Sequence, residues 1–293
     1  MENGYADLHV HTRASDSTFS VEEVLDLAKS CGLKAVGITD HDTVEAIEPA
    51  LAASVNYGVE VIPGVELSAE ENNYDIHILG YFMDCKNPEF KQKLDELRAS
   101  RLLRAKLILE KLSAVNVNLK LEDVLALTEA NTSVGRLHIA RAMKNAGFVN
   151  DIPDAFRRYI GQNGPAYVKK QFLSPKEAST LIKNAGGISV LAHPGVLNNY
   201  ELVESVIKSG IMGIEVYHSE HSGSTVEKLK ELTAKYNLFV TGGSDDHGAG
   251  KSKILLGSML IPYSYVEKMK IYKEREREKT EKTEKPEKTG TGS

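Results

Sequence analysis

Two histidines two residues apart, His9 and His11, close a short apolar run from Ala6 to Val10. A strand alternates its side chains between two faces, so residues i and i+2 point the same way and two imidazoles there can hold one metal ion. Such a pair is common by chance, but this one has company. Of the nine histidines, six sit beside acidic residues or prolines at the ends of apolar runs: His9, His11, His41 in Thr-Asp-His-Asp, His77 in Tyr-Asp-Ile-His-Ile, His193 in Ala-His-Pro and His247 in Gly-Ser-Asp-Asp-His-Gly. Asp16, Glu66 and Asp245 add carboxylates at comparable places. Asp16 sits in a polar loop where the competing role is to cap a turn or the next helix. Nine nitrogen and oxygen donors without a cysteine exceed one ion and suit two or three divalent cations. A cleft with several metals implies hydrolysis, because ions roughly 4 Å apart can hold a bridging hydroxide and neutralise charge developing on a phosphoryl oxygen.

The donors have to be positioned by elements that alternate. Apolar runs at Tyr5–Val10, Ala35–Thr39, Val59–Glu66, Tyr74–Phe82, Ile188–Ala192, Gly213–Tyr217 and Phe239–Gly243 alternate with helical patterns, which predicts an α/β barrel of seven parallel strands. The donors are expected at or just beyond the C-terminal ends of those strands, the face of such a barrel where residues distant in sequence meet. Between residues 88 and 167 the strand signals stop and helical ones take over (Phe90–Leu112, Leu121–Glu129, Gly135–Lys144, Ile152–Ile160), so the barrel is expected in two parts, 1–87 and 168–266, around a small helical lid. From residue 267 to 293 the chain is charged without apolar period and reads as a solvated, disordered tail, with helix in its first turns as the alternative.

With 293 residues, 41% hydrophobic and 26% charged, the chain has enough apolar material for one large core. No run approaches the roughly 18 apolar residues of a membrane span, and no signal segment stands at the N-terminus, so a cytoplasmic protein is expected. Cys31 and Cys85 lack metal-site spacing and read as packed thiols. A net charge of −5 argues against broad binding to duplex DNA and leaves open a local basic patch for a small phosphorylated substrate.

In order along the chain, Asp-Leu-His-Val-His, Ile-Thr-Asp-His-Asp-Thr, Pro-Gly-Val-Glu, Leu-Ala-His-Pro and Gly-Ser-Asp-Asp-His-Gly resemble the motifs of the PHP (polymerase and histidinol phosphatase) superfamily across nearly all of residues 5 to 262. The resemblance implies a distorted (β/α)7 barrel and a trinuclear site. It implies one ion on His9, His11, Glu66 and Asp245, a second on Glu66, His77 and His193, and a third on Asp16, His41 and His247, with Glu66 bridging. Ser17 departs from the glycine that relatives often carry after the aspartate. The insert and its segment Ser133-Val-Gly-Arg-Leu-His-Ile-Ala-Arg141 look like those of the nucleotide-acting branch, which includes AMP and 3',5'-nucleotide bisphosphate phosphatases and a 5'-to-3' exoribonuclease. Arg136, at the start of a predicted helix, offers a planar fork and helix-terminal amides to a phosphate. Without that resemblance, a surface arginine paired with a glutamate would be the expected reading.

Lesser features are sorted by the same logic. Gly250-Lys251-Ser252 suggests a phosphate loop, but the position five before Gly250 is Asp245 rather than glycine. His218 and His221 follow the sixth strand and are candidates to donate a proton or touch substrate. His138 reads as a packed helix residue. Asp40 and Asp42 flank His41 and are candidates to orient imidazoles, with helix capping near Thr43 as the alternative for Asp42. The expectation is a metal-dependent phosphoesterase that removes phosphate from a nucleotide by attack of a metal-bound hydroxide, with Mn2+ favoured over Fe2+ or Zn2+. The alternatives are a 5'-to-3' exonuclease on short RNA, a histidinol-phosphate phosphatase and a non-catalytic metal-binding module.

Overall fold

The computed structural model describes residues 4–128, 132–169, 173–250 and 253–284. Eight strands form one sheet: β1 (Tyr5–Val10), β2 (Leu33–Ile38), β3 (Glu60–Glu71), β4 (Tyr74–Tyr81), β5 (Ile188–Leu191), β6 (Gly213–His218), β7 (Phe239–Gly243) and a two-residue stub β8 (Ile261–Pro262), in the order β7-β6-β5-β4-β3-β2-β1-β8. The sheet curls until its far strands meet. Val10 bridges to Asp246 just past β7, the Asp245 amide donates to the His9 carbonyl (2.8 Å) and the His11 amide to the Asp246 carbonyl (3.0 Å). Seven strands thus make a nearly closed barrel, with β8 laid antiparallel on β1. Leu8 and Tyr81 are buried within it, and the Tyr81 hydroxyl donates to the Leu8 carbonyl (2.9 Å).

The barrel is mixed, which corrects the parallel arrangement expected from sequence. β4 runs antiparallel to both neighbours, because β3 and β4 are joined by the two-residue turn Asn72-Asn73, both with positive φ (54° and 64°), and no crossover helix. Asparagine tolerates that left-handed backbone, the geometry of a tight hairpin. His77 therefore lies near the start of its strand, yet reaches the same rim as donors at the ends of strands running the other way. Glu66 is likewise inside β3, which continues past the rim.

Helices α1 (Val21–Ser30) and α2 (Ile47–Tyr57) pack in one apolar cluster with β1, β2 and the start of β3; α7 (Pro175–Asn184), α8 (Tyr200–Lys208) and α9 (Gly223–Tyr236) cover the second half. Local signals set several of their ends. Ser20 with Glu23 and Ser174 with Glu177 form reciprocal capping boxes that satisfy otherwise unpaired amides. Between the barrel halves, α3 (Pro88–Ala114) spans two cores: Phe90, Leu94 and Leu97 pack on the barrel, whereas Ala105, Ile108, Leu109 and Leu112 belong to a second apolar cluster with α4 (Leu121–Leu125), α5 (Arg136–Asn145) and α6 (Ile152–Ala155). A π-helical turn, Phe156–Ile160, follows α6. The helix predicted over Leu121–Glu129 ends at Leu125, and its residue 129 lies outside the described residues.

The charged tail expected from residue 267 starts instead as part of α10 (Ser264–Glu284). Val266 and Met269 are buried against the barrel end, the Tyr272 ring meets Phe239 edge-on at 5.4 Å, and Lys270 pairs with Glu60. This stripe recurs every three residues, and the intervening charges mask it in the sequence. Residues 285–293 of the predicted tail, and Lys251 and Ser252, lie outside the described residues. No described helix is long and apolar enough to cross a membrane.

A single small residue guards the seam of the barrel. A Cβ on Gly243 would overlap the amide nitrogen and Cβ of His9, both part of a rigid strand. Gly243→Ala should therefore lower stability by about 1–3 kcal/mol or more, read as a fall in melting temperature. An unchanged melting temperature would mean that the seam is soft.

Candidate metal centre

Glu66 lies at the centre of the rim, 1% exposed. Its Oε2 is 3.4 Å from His9 Nε2, 3.2 Å from His11 Nε2 and 3.0 Å from His41 Nδ1; its Oε1 is 2.7 Å from His77 Nδ1 and 3.2 Å from His193 Nε2. Asp245 Oδ1 lies 3.4 Å from His9 Nε2 and 3.1 Å from His11 Nε2. Asp16 sits on the other side, with Oδ1 3.2 Å from His247 Nε2 and Oδ2 4.0 Å from His41 Nε2. All nine residues singled out as donors are thus gathered at one end of the barrel.

Three overlapping groups have donor atoms within 4.8 Å of one another: His9, His11, Glu66 and Asp245; His11, Asp16, His41 and His247; and His41, Glu66 and His77. His193 stands beside the last, with Nε2 3.3 Å from His77 Nδ1. The donor chemistry fits divalent cations. His9 Nε2, His41 Nδ1, Glu66 Oε2 and Asp16 Oδ1 are buried with no hydrogen-bond partner among the described residues, and all point into this space. Leaving four polar atoms so would be costly, and cations shared among the three groups would satisfy them. Three residues at the centre or next to it, Asp42, His193 and Asp245, adopt positive φ without being glycine. Backbone in that region is uphill for a residue with a Cβ and persists where the surroundings over-determine it.

Several supporting residues escaped the sequence reading. Glu215, buried on β6, accepts from His9 Nδ1 (3.0 Å) and from the His193 backbone amide (2.7 Å). That contact puts the His9 proton on Nδ1 and turns the Nε2 lone pair inward. A lone acid in the apolar strand Gly-Ile-Glu-Val-Tyr-His was the available signal. Asp7 receives the Ser244 and Gly257 amides (2.9 and 3.1 Å), and Asp246 those of Gly248 and Leu255 (2.8 and 2.6 Å), so both shape the loop that carries Asp245 and His247.

The flanking acids work on the backbone. Asp40 receives the Thr12 amide, the Thr12 hydroxyl and the Ser15 hydroxyl (2.7, 2.7 and 2.5 Å) and so fixes the loop before Asp16. Asp42 receives the Ser68 amide (2.8 Å) and pairs with Arg101 (2.5 Å); α2 starts only at Ile47, after Ala46, so Asp42 does not cap it. His218 and His221 separate cleanly. The ring of His221 is spent on the chain itself, donating from Nδ1 to the Val216 carbonyl (2.9 Å) and accepting the Gly195 amide at Nε2 (3.1 Å). His218 accepts the Glu220 amide at Nδ1, leaving Nε2 buried, without a hydrogen-bond partner and 3.7 Å from Asp245 Oδ2. His138 accepts the Gly135 amide at Nδ1 (3.1 Å) at the start of α5.

Two cavities open on the cluster. One, about 240 Å³, is lined by Glu66, His193, His218 and Asp245 among others. The second, about 300 Å³, runs from Asp16, His41, His77 and His247 to Arg104, Arg136 and the apolar side chains Leu137, Ile152 and Phe156 of the insert. Arg136 stands at the first position of α5, with Nη2 3.3 Å from Asp75 and its guanidinium 5.6 Å from the Phe156 ring centre.

The PHP domain model matches residues 7–240. The chain belongs to the PHP domain family. Among its PHP relatives, a 5'-3' exoribonuclease of Haemophilus influenzae is 36% identical over 246 residues, covering 82% of this chain and 89% of the relative. A 3',5'-nucleoside bisphosphate phosphatase of Chromobacterium violaceum is 30% identical over 253 residues, covering 84% and 88%. Among solved structures, a protein of Bifidobacterium adolescentis described as a metal-dependent phosphoesterase superposes with a TM-score of 0.84 at 33% identity, covering 90% of this chain and 94% of that one. The fold and the His/Asp/Glu cluster of this PHP chain are thus of the metal-dependent phosphoesterase kind.

Proton and metal compete for the PHP cluster. Burial, the largest influence on His11, disfavours its imidazolium, but hydrogen bonds and charge from Asp245 and Glu66 outweigh it and push the ring up to about 9. In His9, burial is outweighed by Glu215, Glu66 and Asp245, and in His193 by Glu66 and Asp245, so both are also raised. Burial wins in His41, pushed down to about 3. A histidine whose folded pKa is raised stabilises the fold fully below its unfolded value near 6.5 and loses that contribution as pH rises through the folded value. His41, neutral when folded, acts in the opposite direction only around its unfolded value near 6.5, so with three rings raised and one lowered the metal-free protein should lose melting temperature as pH rises from there toward 9. A divalent cation takes the place of the protons, so metal affinity should rise over the same window and the loaded protein should hold its melting temperature. Melting curves with and without metal from pH 6 to 9 test this; a metal-free protein that gains stability toward pH 9 would contradict it.

Glu215→Gln keeps the shape and removes the charge that fixes His9 and His193. Metal affinity should fall roughly 10- to 100-fold with the fold intact, measured by metal titration beside circular dichroism. Unaltered affinity would make Glu215 a bystander.

Proposed function

We propose that this PHP-family phosphoesterase removes a phosphate from a nucleotide, of the AMP or nucleoside 3',5'-bisphosphate kind, with two or three divalent ions at the rim. The observation that carries the reading is the cavity in which His41, His77, Asp16 and His247 form one end and Arg104, Arg136, Leu137, Ile152 and Phe156 the other. It suits a molecule with a phosphate at one end and a flat, partly apolar group at the other. The names of the two relatives, a nucleoside bisphosphate phosphatase and an exoribonuclease, support that substrate class.

His9, His11, Glu66 and Asp245 would hold one ion, Asp16, His41 and His247 another, and Glu66, His77 and His193 a third, with Mn2+ the best match to an oxygen-rich mixed set and Fe2+ or Zn2+ as alternatives. When bound, such ions supply positive charge to a phosphoryl oxygen and acidify water. The protein's own residues do the rest. Arg136 exchanges Asp75 for a substrate phosphate and grips it with two parallel N–H groups. The His218 ring, with Nδ1 taken by the Glu220 amide, keeps its proton on Nε2, beside Asp245 and facing the smaller cavity, where it can hydrogen-bond a substrate oxygen without giving the proton up. Residues 88–167 act as a lid that narrows the cleft and excludes water. A second reading, trimming of short RNA from its 5' end, is favoured by the 36% identity to the exoribonuclease. A cytoplasmic location, with neither duplex DNA nor a membrane as partner, is part of the same proposal.

Phosphate release measured over mononucleotides, 3',5'-bisphosphates and histidinol phosphate, together with mononucleotide release from short 5'-phosphorylated RNA, tests the assignment. Release from nucleotides or RNA, and not from histidinol phosphate, is expected; no release from any of them by metal-loaded protein would refute it. Arg136→Ala should lower kcat/KM about 10- to 100-fold, since a hydrogen-bonded charge contact is worth roughly 1.5–3 kcal/mol. Arg136→Lys should be impaired too, because the fork is lost. Unchanged kcat/KM at full metal content would reduce Arg136 to a surface ion pair with Asp75.

A further inference from the structure

The insert touches the barrel at a place that a simple cover would leave alone. The loop that carries Asp16 offers three backbone carbonyls to it, and each finds a partner there. Arg13 O receives the Thr132 hydroxyl (3.1 Å), Ala14 O the Ser133 amide (3.0 Å), and Asp16 O the Arg141 guanidinium (2.6 Å). The opposite side of the same loop is fixed by the barrel, through Asp40. Asp16 thus has its backbone held from both directions, one of them wholly the insert's.

His41 shows the same dependence. Its neighbour Asp42 is paired with the buried Arg101, on the bridging helix α3, which also donates to the Ser68 hydroxyl (2.8 Å). By contrast, His9, His11, Glu66 and Asp245 are held by barrel strands and by Glu215. The donor groups therefore differ in what builds them.

We propose that the helical insert assembles one of the metal sites, and that Arg141 is a positioning residue for the ion held by Asp16, His41 and His247. Metal-ligand distances tolerate only about 0.2 Å of error, so a loop released on one side cannot keep its carboxylate in range. Arg141 never touches the ion; it reaches the site through the Asp16 carbonyl. This rests on the metal-dependent reading above.

The test is a Mn2+ titration of the full chain, with free Mn2+ followed by its electron paramagnetic resonance signal, for wild type, Arg141→Met and Arg141→Lys. Arg141→Met keeps bulk and removes the donor. It should weaken one ion by about tenfold or more, the value of a charged hydrogen bond, and leave the tighter ion or ions unchanged; Arg141→Lys, which restores a donor, should lie between. Wild-type affinities for every ion in Arg141→Met would overturn the proposal while leaving the metal centre standing, whereas a wild type that takes up no Mn2+ would overturn the metal reading itself. Should Arg141→Met not fold, hydrogen exchange on the wild type decides: adding Mn2+ should slow exchange in residues 133–141 as well as in 12–18, and slowing confined to 12–18 would refute the coupling.

Discussion

The Glu66 carboxylate is removed from water with five imidazoles within 3.4 Å, drawn from β1, the loop after β2, β4 and the loop after β5. A buried carboxylate is expensive unless matched by positive charge or hydrogen bonds. Burial alone would raise its pKa; His41, His77, His9 and His11 reverse that and hold it well below the usual carboxylate range. The rest of the architecture can be read as what is needed to bring those rings to one acid. The barrel must close so that β1 and the turn after β7 are neighbours, β3 must carry Glu66 through the rim rather than stop there, and β4 must run backwards to present His77.

The rings are themselves held by groups that never face the centre. Glu215 fixes His9 and the backbone of His193, Ser15 is shared between His11 and Asp40, and the Asp245 carbonyl receives His247 Nδ1 at 2.9 Å. Each contact spends the outward nitrogen of an imidazole, or orders the chain beside it, and leaves the inward nitrogen as a lone pair. The proton competition at His11 follows from the same crowding, since the carboxylates that would bind a cation also bind the imidazolium.

The insert enters this economy through α3. One end of that helix is part of the barrel core and the other is part of the insert's own core, with Arg101 buried between them on Asp42. The helices between β4 and β5 are therefore anchored through a rigid element rather than a hinge of loose chain. Its α5 carries Arg136 toward the cavity and Arg141 toward the Asp16 loop, less than two helical turns apart.

Much of this was legible in the sequence. The donor types, their placement near the ends of apolar runs and the ordered motifs pointed to a metal-dependent phosphoesterase of the PHP kind, because metal chemistry needs particular side chains and those side chains are written residue by residue. The helical insert was visible for the same local reason, as a change of apolar period between residues 88 and 167. Strand direction was not, since an apolar run reads the same whichever way it pairs, and only the Asn72-Asn73 turn with its lack of a crossover reverses β4. The apolar stripe of Val266, Met269 and Tyr272 was hidden among charges until the barrel end was there to receive it. Glu215, the spent ring of His221 and the three carbonyls of the Asp16 loop depend on contacts between segments far apart in the chain. Which donor meets which acceptor across such distances is decided by packing, and so only the tertiary structure could decide it.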